Sequence, residues 1–368
     1  MRIRGAVLET IGAPLPYADS TPITVSELDL DPPGEGEILV EIEAASLCHS
    51  DLSVVNGSRV RPVPMLLGHE SAGRIRELGP GVDNLAVGQR VIMTFLPRCG
   101  SCPGCATDGK LPCQPGTVAN NAGTLLGNAM RLHRDGAPVH HHLGVSGFAT
   151  HAVVNHRSVV PIDDDVPPEI AALLGCAVLT GGGAVINAGR PGPGDTVLVV
   201  GLGGVGLAAV LTAVALGHHV IGVDALSGKL DIARQLGAEA AYTPDDAIAE
   251  GVRAPVVIEA AGHPRAFETA IALTAAGGTT VTVGLPSPDA RSQITPLQLT
   301  AEARTIIGSY LGSAVPARDI PRYVDMWREG RLPLEKLISG TLPLDRINDA
   351  MDQLHTGQAL RQIIKVAS

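Results

Sequence analysis

Hydrophobic positions change their rhythm twice along this chain. Up to about residue 160 they fall in short alternating segments separated by turns, such as residues 37–44 and 90–94, which predicts an irregular β domain. Residues 169–188 are apolar and alanine-rich, which predicts a helix ahead of the turn Arg190 Pro191 Gly192 Pro193 Gly194 Asp195. From Thr196 onward, strand and helix patterns alternate, the signature of a parallel sheet. Strands are predicted at 197–200, 219–223, 256–259, 279–283 and 305–308, with helices at 228–236 and 264–275. After about Tyr310 come helices near 320–329 and 344–355 and a last strand at 362–366. No internal repeat or low-complexity tract interrupts this order.

Residues 197–217 carry no charge, and by length and polarity alone they qualify as a membrane span. The glycines argue otherwise. Gly201, Gly203, Gly204 and Gly206 bunch directly after the β-branched run 197–200, so the segment parses as strand, tight turn and buried helix. Gly201 Leu202 Gly203 Gly204 Val205 Gly206 is a G x G x x G hexamer in the context that makes it informative, and Asp224 ends the next predicted strand. The glycines let a backbone approach a pyrophosphate, whose charge a helix N-terminus favours. Asp224 is placed to accept hydrogen bonds from an adenosine ribose and would repel a 2′-phosphate, so NAD is expected over NADP. Lys229 can reach the same ribose, or stands as a solvated helix lysine.

At 368 residues the chain fits two domains, and its formal charge of −10, with no Lys/Arg run interleaved by aromatics, excludes a nucleic-acid partner. No polybasic membrane patch is present. Met1 to Ile11 has two arginines but no apolar core followed by a cleavage site, so a cytoplasmic setting with reduced thiols is expected. Six cysteines remain to be explained. Cys99, Cys102, Cys105 and Cys113 sit in a short glycine-punctuated stretch, and C x2 C spacing in a reducing compartment favours metal over disulfides. Four thiolates leave no open coordination position, so the cluster is expected to hold a structural zinc. Cys48 and Cys176, each beside other ligand-type residues, are candidates for a second and chemically different zinc site. The triplet His140 His141 His142 is set aside as a metal site, because adjacent histidines in an extended loop point different ways.

Two compact polar clusters, Cys48 His49 Ser50 Asp51 and Gly68 His69 Glu70, join Leu174 Gly175 Cys176 Ala177 in a wider pattern. With Gly68 His69 Glu70 x2 Gly73 x5 Gly79 x2 Val82, the four-cysteine lobe and the dinucleotide hexamer in that order, the chain resembles the zinc-dependent alcohol dehydrogenases of the medium-chain dehydrogenase/reductase superfamily over essentially its whole length. The resemblance implies an α/β fold: a GroES-like irregular β catalytic domain over 1–177, completed by 313–368, and a doubly wound Rossmann domain binding NAD over 178–312. It also implies that Cys48, His69 and Cys176 hold a catalytic zinc. Glu70 would be a carboxylate able to enter the coordination sphere, and Asp51 would hold the second nitrogen of His69. A Cys2His set leaves a fourth position for water or substrate, as an electrophilic zinc requires.

The resemblance assigns the first proton-relay step to Ser50. Ser53 stands where the family pattern has a histidine, so the far end of the relay passes to His49 or to solvent. By the same resemblance His49 and Arg361 face the cofactor pyrophosphate, Thr180 supports the nicotinamide, and Leu285 meets its carboxamide through the backbone. Phe95, His142, Leu143, Arg59 and Tyr310 would surround the substrate. The expected activity is hydride transfer between NAD and a primary, allylic or aromatic alcohol and its aldehyde, with two zinc ions per chain. A glutathione- or mycothiol-dependent formaldehyde dehydrogenase is the alternative enzyme, and a noncatalytic structural or cofactor-sensing protein the alternative of a different class. Retention of Cys48, His69, Cys176 and Ser50 favours an enzyme. The stretch 114–147 is long for a connection and resembles the extended loop of dimeric family members, so a homodimer joined by edge strands of the cofactor domains is expected.

Overall fold

The computed structural model describes residues 1–366; residues 367 and 368, the end of the segment expected to complete the first domain, lie outside the described residues. The chain divides into two compact units, Met1–Cys176 with the chain from Ile338 on, and Ala177–Leu337. The return to the first unit thus comes at Ile338 rather than at the expected residue 313. Residues 313–337 stay with the second unit because the helix Pro316–Arg328 buries Ile320, Tyr323 and Val324 there, with the Tyr323 ring against Gly182.

The first unit holds a closed five-stranded barrel and a seven-stranded sheet. Its central strand, Glu37–Leu47, pairs with Glu70–Leu78, His151–Asn155 and Arg361–Lys365. Alternation along this strand sorts its side chains between two cores. Ile38, Val40 and Ile42 pack in one with Ile75, Val91 and Val154, while Leu39 joins Leu66 and Val153 in the other. The stretch 114–147, read as a long connection, is largely structured: a helix Gln114–Ala122 precedes a hairpin of Leu132–Arg134 and Ala137–His141 that closes the barrel. Asp135 and Gly136 both take left-handed φ, 52° and 80°, which builds the tight two-residue turn that Asp-Gly favours.

The helix predicted over 169–188 is broken. Pro168–Leu174 ends, Gly175 and Cys176 interrupt it, and Ala177–Gly183 begins anew. Gly175 lies so close to the Met93 carbonyl that a β-carbon would strike it, and the break takes Cys176 out of helical register.

The second unit is a six-stranded, all-parallel sheet in the order Ala240–Tyr242, His219–Val223, Thr196–Val200, Ala254–Glu259, Thr274–Thr282, Thr305–Gly308. This is the doubly wound dinucleotide-binding topology, whose strand order reverses beside Thr196–Val200. The charge-free segment 197–217 resolves into that strand and the helix Gly204–Ala215, which is buried on nearly all sides and so needs no polar face. Among the described residues no single helix is long and apolar enough to cross a membrane.

Candidate active site

Four side chains from three segments of the first unit converge. Cys48 follows the central strand, His69 precedes the strand that Glu70 begins, and Cys176 occupies the helix break. Their donor atoms all lie within 4.8 Å of one another, and all four residues are buried. His69 Nε2 and Glu70 Oε2 have no hydrogen-bond partner. A buried imidazole nitrogen left orphaned beside two thiols is costly unless something binds it, and this donor set is what zinc prefers. The residues therefore fit a zinc ion with three protein ligands. Contact between the thiols pulls Cys48 well below the ordinary range and pushes Cys176 well above it. Burial pushes the Glu70 carboxyl up to about 8 in spite of Arg361.

Asp51, fully buried, organises the surroundings. Its Oδ2 accepts the Cys48 N–H at 3.1 Å, and its Oδ1 accepts the Gly68 N–H at 3.2 Å. His69 Nδ1 lies 3.1 Å from the same Oδ1, which fixes the ring and directs Nε2 toward the thiols as a ligand. Burial opposes ionisation of Asp51, but the charges of His69 and His142 and the hydrogen bond from His69 outweigh it and hold the carboxyl at about 2. Sequence reasoning placed His142 at the substrate. The structure brings it into this constellation, with Nδ1 3.1 Å from Asp51 Oδ1 and its ring edge-to-face with His69 at 5.6 Å.

The remaining first-unit candidates are distributed around this centre. Ser50 Oγ is 3.8 Å from Cys48 Sγ at the start of the helix His49–Val55, whose first residue, His49, is exposed. Ser53 donates its hydroxyl proton to the Ser50 carbonyl at 2.9 Å, so that proton serves the helix. Phe95 packs edge-to-face on His69 at 5.7 Å. Leu143 is buried with φ +51°, a left-handed conformation rare for a bulky residue, and Arg59 lies half-buried in the loop after the helix. Arg361, expected at the pyrophosphate, is buried and donates from Nη1 to Glu70 Oε1 at 2.9 Å and to the Leu47 carbonyl at 3.3 Å. That pairing went unseen in the sequence because the two residues meet only through the pairing of the last strand with Glu37–Leu47.

Cys99, Cys102, Cys105 and Cys113 also bring their sulfurs within 4.8 Å of one another. All are free thiols, with Cys99 and Cys105 sulfurs 3.9 Å apart and those of Cys102 and Cys113 4.0 Å apart. The Cys99 and Cys105 backbone N–H groups point at the sulfurs of Cys113 and Cys102, at 3.3 and 3.4 Å. Backbone donors aimed at sulfur suit thiolates around a cation, so this lobe too fits a zinc ion.

In the second unit the hexamer forms a tight turn. Gly201 has φ +92°, and a β-carbon on Gly206 would collide with the Gly201 carbonyl, whereas one on Gly203 would meet only open space. That open side lies at the start of the helix Gly204–Ala215, which Val205 continues, and it suits a pyrophosphate. Asp224 accepts the Leu202 N–H on Oδ2 at 2.7 Å and the Leu226 N–H on Oδ1 at 2.9 Å, which orients its carboxylate at the strand end. Lys229 is half-buried in the following helix, Ser227–Gln235. Thr180 lies buried in Ala177–Gly183, and Tyr310 opens a short helical turn. The Leu285 side chain is exposed while its backbone runs against Gly262. Glu259 was missed: buried at a strand end, it accepts the Ala261 and Gly262 N–H groups and the Thr282 hydroxyl, shaping the loop that Leu285 touches. A lone acid closing the apolar run 256–259 was its only signal.

Residues 34–164 match the family described as alcohol dehydrogenase GroES-like domain, and residues 204–329 match that described as zinc-binding dehydrogenase. Alcohol dehydrogenase 1 of Pisum sativum is 34% identical over 94% of this chain and 94% of its own length. Among solved structures, an alcohol dehydrogenase zinc-binding domain protein from Burkholderia ambifaria superposes with a TM-score of 0.93 at 30% identity. The benzyl alcohol dehydrogenase from Acinetobacter calcoaceticus does so with a TM-score of 0.91 at 31% identity, and both comparisons cover 100% of each chain.

Proposed function

The chain belongs to the alcohol dehydrogenases of the medium-chain dehydrogenase/reductase superfamily, and from that membership and its site we propose that it transfers a hydride between NAD and a primary alcohol or aldehyde of allylic or aromatic type. The convergence of Cys48, His69 and Cys176 carries this reading, with a structural neighbour that is a benzyl alcohol dehydrogenase supporting the aromatic class. Zinc held by these three residues would supply the Lewis acidity that makes an alcohol a stronger acid, and NAD the hydride acceptor.

The chain's own groups do the rest. Asp51 fixes the His69 ring and, through the Cys48 N–H, the start of the helix that carries Ser50. Ser50 takes the alcohol proton. Because the Ser53 hydroxyl is engaged with the Ser50 carbonyl, the proton leaves by the exposed end of the helix, through His49 or solvent. Phe95 packs its ring on His69, and Arg361 donates a hydrogen bond to the buried Glu70 carboxyl. The test is an NADH-absorbance assay with benzyl alcohol, geraniol, long-chain alkanols, and formaldehyde with glutathione or mycothiol. Turnover of benzyl alcohol or geraniol is expected; activity confined to the thiol adduct would overturn the substrate assignment.

Asp224 sets the cofactor preference in this reading. Asp224→Ala is expected to lower kcat/KM with NAD and raise it with NADP, shifting their ratio by about 10²-fold, since a 2′-phosphate no longer meets a carboxylate. The four-cysteine lobe holds the second zinc. Cys105→Ser should remove one zinc per chain and lower Tm by on the order of 5 °C, read by metal analysis and calorimetry. The strand Thr305–Gly308 ends the six-stranded sheet, and we place the contact of a homodimer there, to be checked by light scattering.

A further inference from the structure

His142 is an imidazole with no commitment that the reaction above explains. It is 1% exposed, its Nε2 has no polar partner, and its Nδ1 lies 3.1 Å from Asp51 Oδ1, off the line of an aligned hydrogen bond. The chain takes trouble to put it there. His142 follows the barrel strand Ala137–His141 and opens a turn in which its carbonyl accepts the Val145 and Ser146 N–H groups. Its own N–H donates to Ser146 Oγ at 3.0 Å, and both Leu143 and Ser146 adopt left-handed φ, at 51° and 54°. Two non-glycine residues in that region within one short turn mark a backbone held against its preference.

The result is a carboxylate shared by two histidines. Asp51 Oδ1 faces the Gly68 N–H, His69 Nδ1 and His142 Nδ1, whereas Oδ2 receives only the Cys48 N–H. We propose that His142 is a positioning residue for the metal ligand His69, the close approach of its Nδ1 edge to Asp51 Oδ1 holding the carboxylate against the His69 ring. Without it, one side of the carboxylate faces a void or an apolar group, and Asp51 is free to turn away from His69. The inference rests on the zinc reading of the Cys48, His69 and Cys176 pocket.

The experiment follows metal retention rather than turnover. Cobalt(II) is exchanged into the full-length protein, His142→Leu and His142→Asn, and the decay in excess EDTA is followed for the part of the cobalt–thiolate absorption that Cys176→Ser lacks, which separates the pocket from the four-cysteine lobe. Leucine fills the space without a donor; asparagine keeps a donor near the place of Nδ1. The leucine variant is expected to release cobalt about tenfold or more faster than the unaltered protein, and the asparagine variant within about threefold of it. Release from the leucine variant at the unaltered rate, or equal release from both variants, would overturn the proposal, because a purely space-filling histidine gives one of those results. If the unaltered protein develops no thiolate absorption beyond that of Cys176→Ser, the metal reading on which the proposal stands would instead be overturned.

Discussion

Replacing Cys176 with serine is expected to lower kcat/KM by at least about 10³-fold while the four-cysteine lobe keeps its metal and the protein its fold. The thiol sits in the interruption between two helices, where Gly175 meets the Met93 carbonyl, so the smaller hydroxyl leaves the backbone undisturbed. What changes is the donor set. A serine hydroxyl does not ionise near neutrality as a thiol does in a metal pocket, and the pocket falls to one thiolate and one imidazole. Lewis-acid stabilisation worth several kcal/mol is then lost, and each 1.36 kcal/mol is a factor of ten in rate. Metal analysis should show one zinc fewer per chain and calorimetry a nearly unchanged transition for the lobe. Full activity in a serine variant containing zinc only at the lobe would defeat the proposed function.

Asp51→Ala should cost more than any other single change near the site. It strips an acceptor from the buried N–H groups of Cys48 and Gly68 and from His69 Nδ1. Each unsatisfied buried donor costs about 1–3 kcal/mol, so a loss of roughly 3 kcal/mol or more is expected in urea titration. Metal affinity should fall by about 10–100-fold as the His69 ring loses its orientation. The carboxyl also gives a pH signature. It is held at about 2, below its ordinary 3.8, so between those values the unfolded chain binds more protons than the folded one. Stability from this group is complete above the ordinary value and is lost as pH falls through the folded one. Asp51→Asn, which keeps one acceptor oxygen, should flatten that acid limb; an unchanged limb would show that Asp51 does not contribute to it.

What the sequence made legible were the features whose chemistry is local. The dinucleotide hexamer, the four-cysteine lobe and the strand–helix alternation each lie within a few turns of chain, so spacing alone reports them. The helix over 169–188 misled because alanine-rich apolar residues show no period that marks a break, and the constraint at Gly175 comes from Met93, far away in sequence. Residues 114–147 misled for a different reason: the Asp135 Gly136 hairpin signal was present but lay between strands of only three and five residues. Around the candidate site the ligand-type residues could be named, but not their partners. That His142 meets Asp51 and Arg361 meets Glu70 depends on strand pairing across the first unit, which no spacing encodes.

The pairing of Arg361 with Glu70 has a temporal meaning. Glu70 leaves the ribosome long before its hydrogen-bond partner, which arrives on the strand Arg361–Lys365. At about 5–20 residues per second, roughly 15–60 seconds of synthesis separate the two. The whole nucleotide-binding unit is made in that interval and can fold within it. The first unit therefore completes its sheet only after the second has been made, and the pocket of Cys48, His69 and Cys176 acquires Arg361 as a neighbour only then.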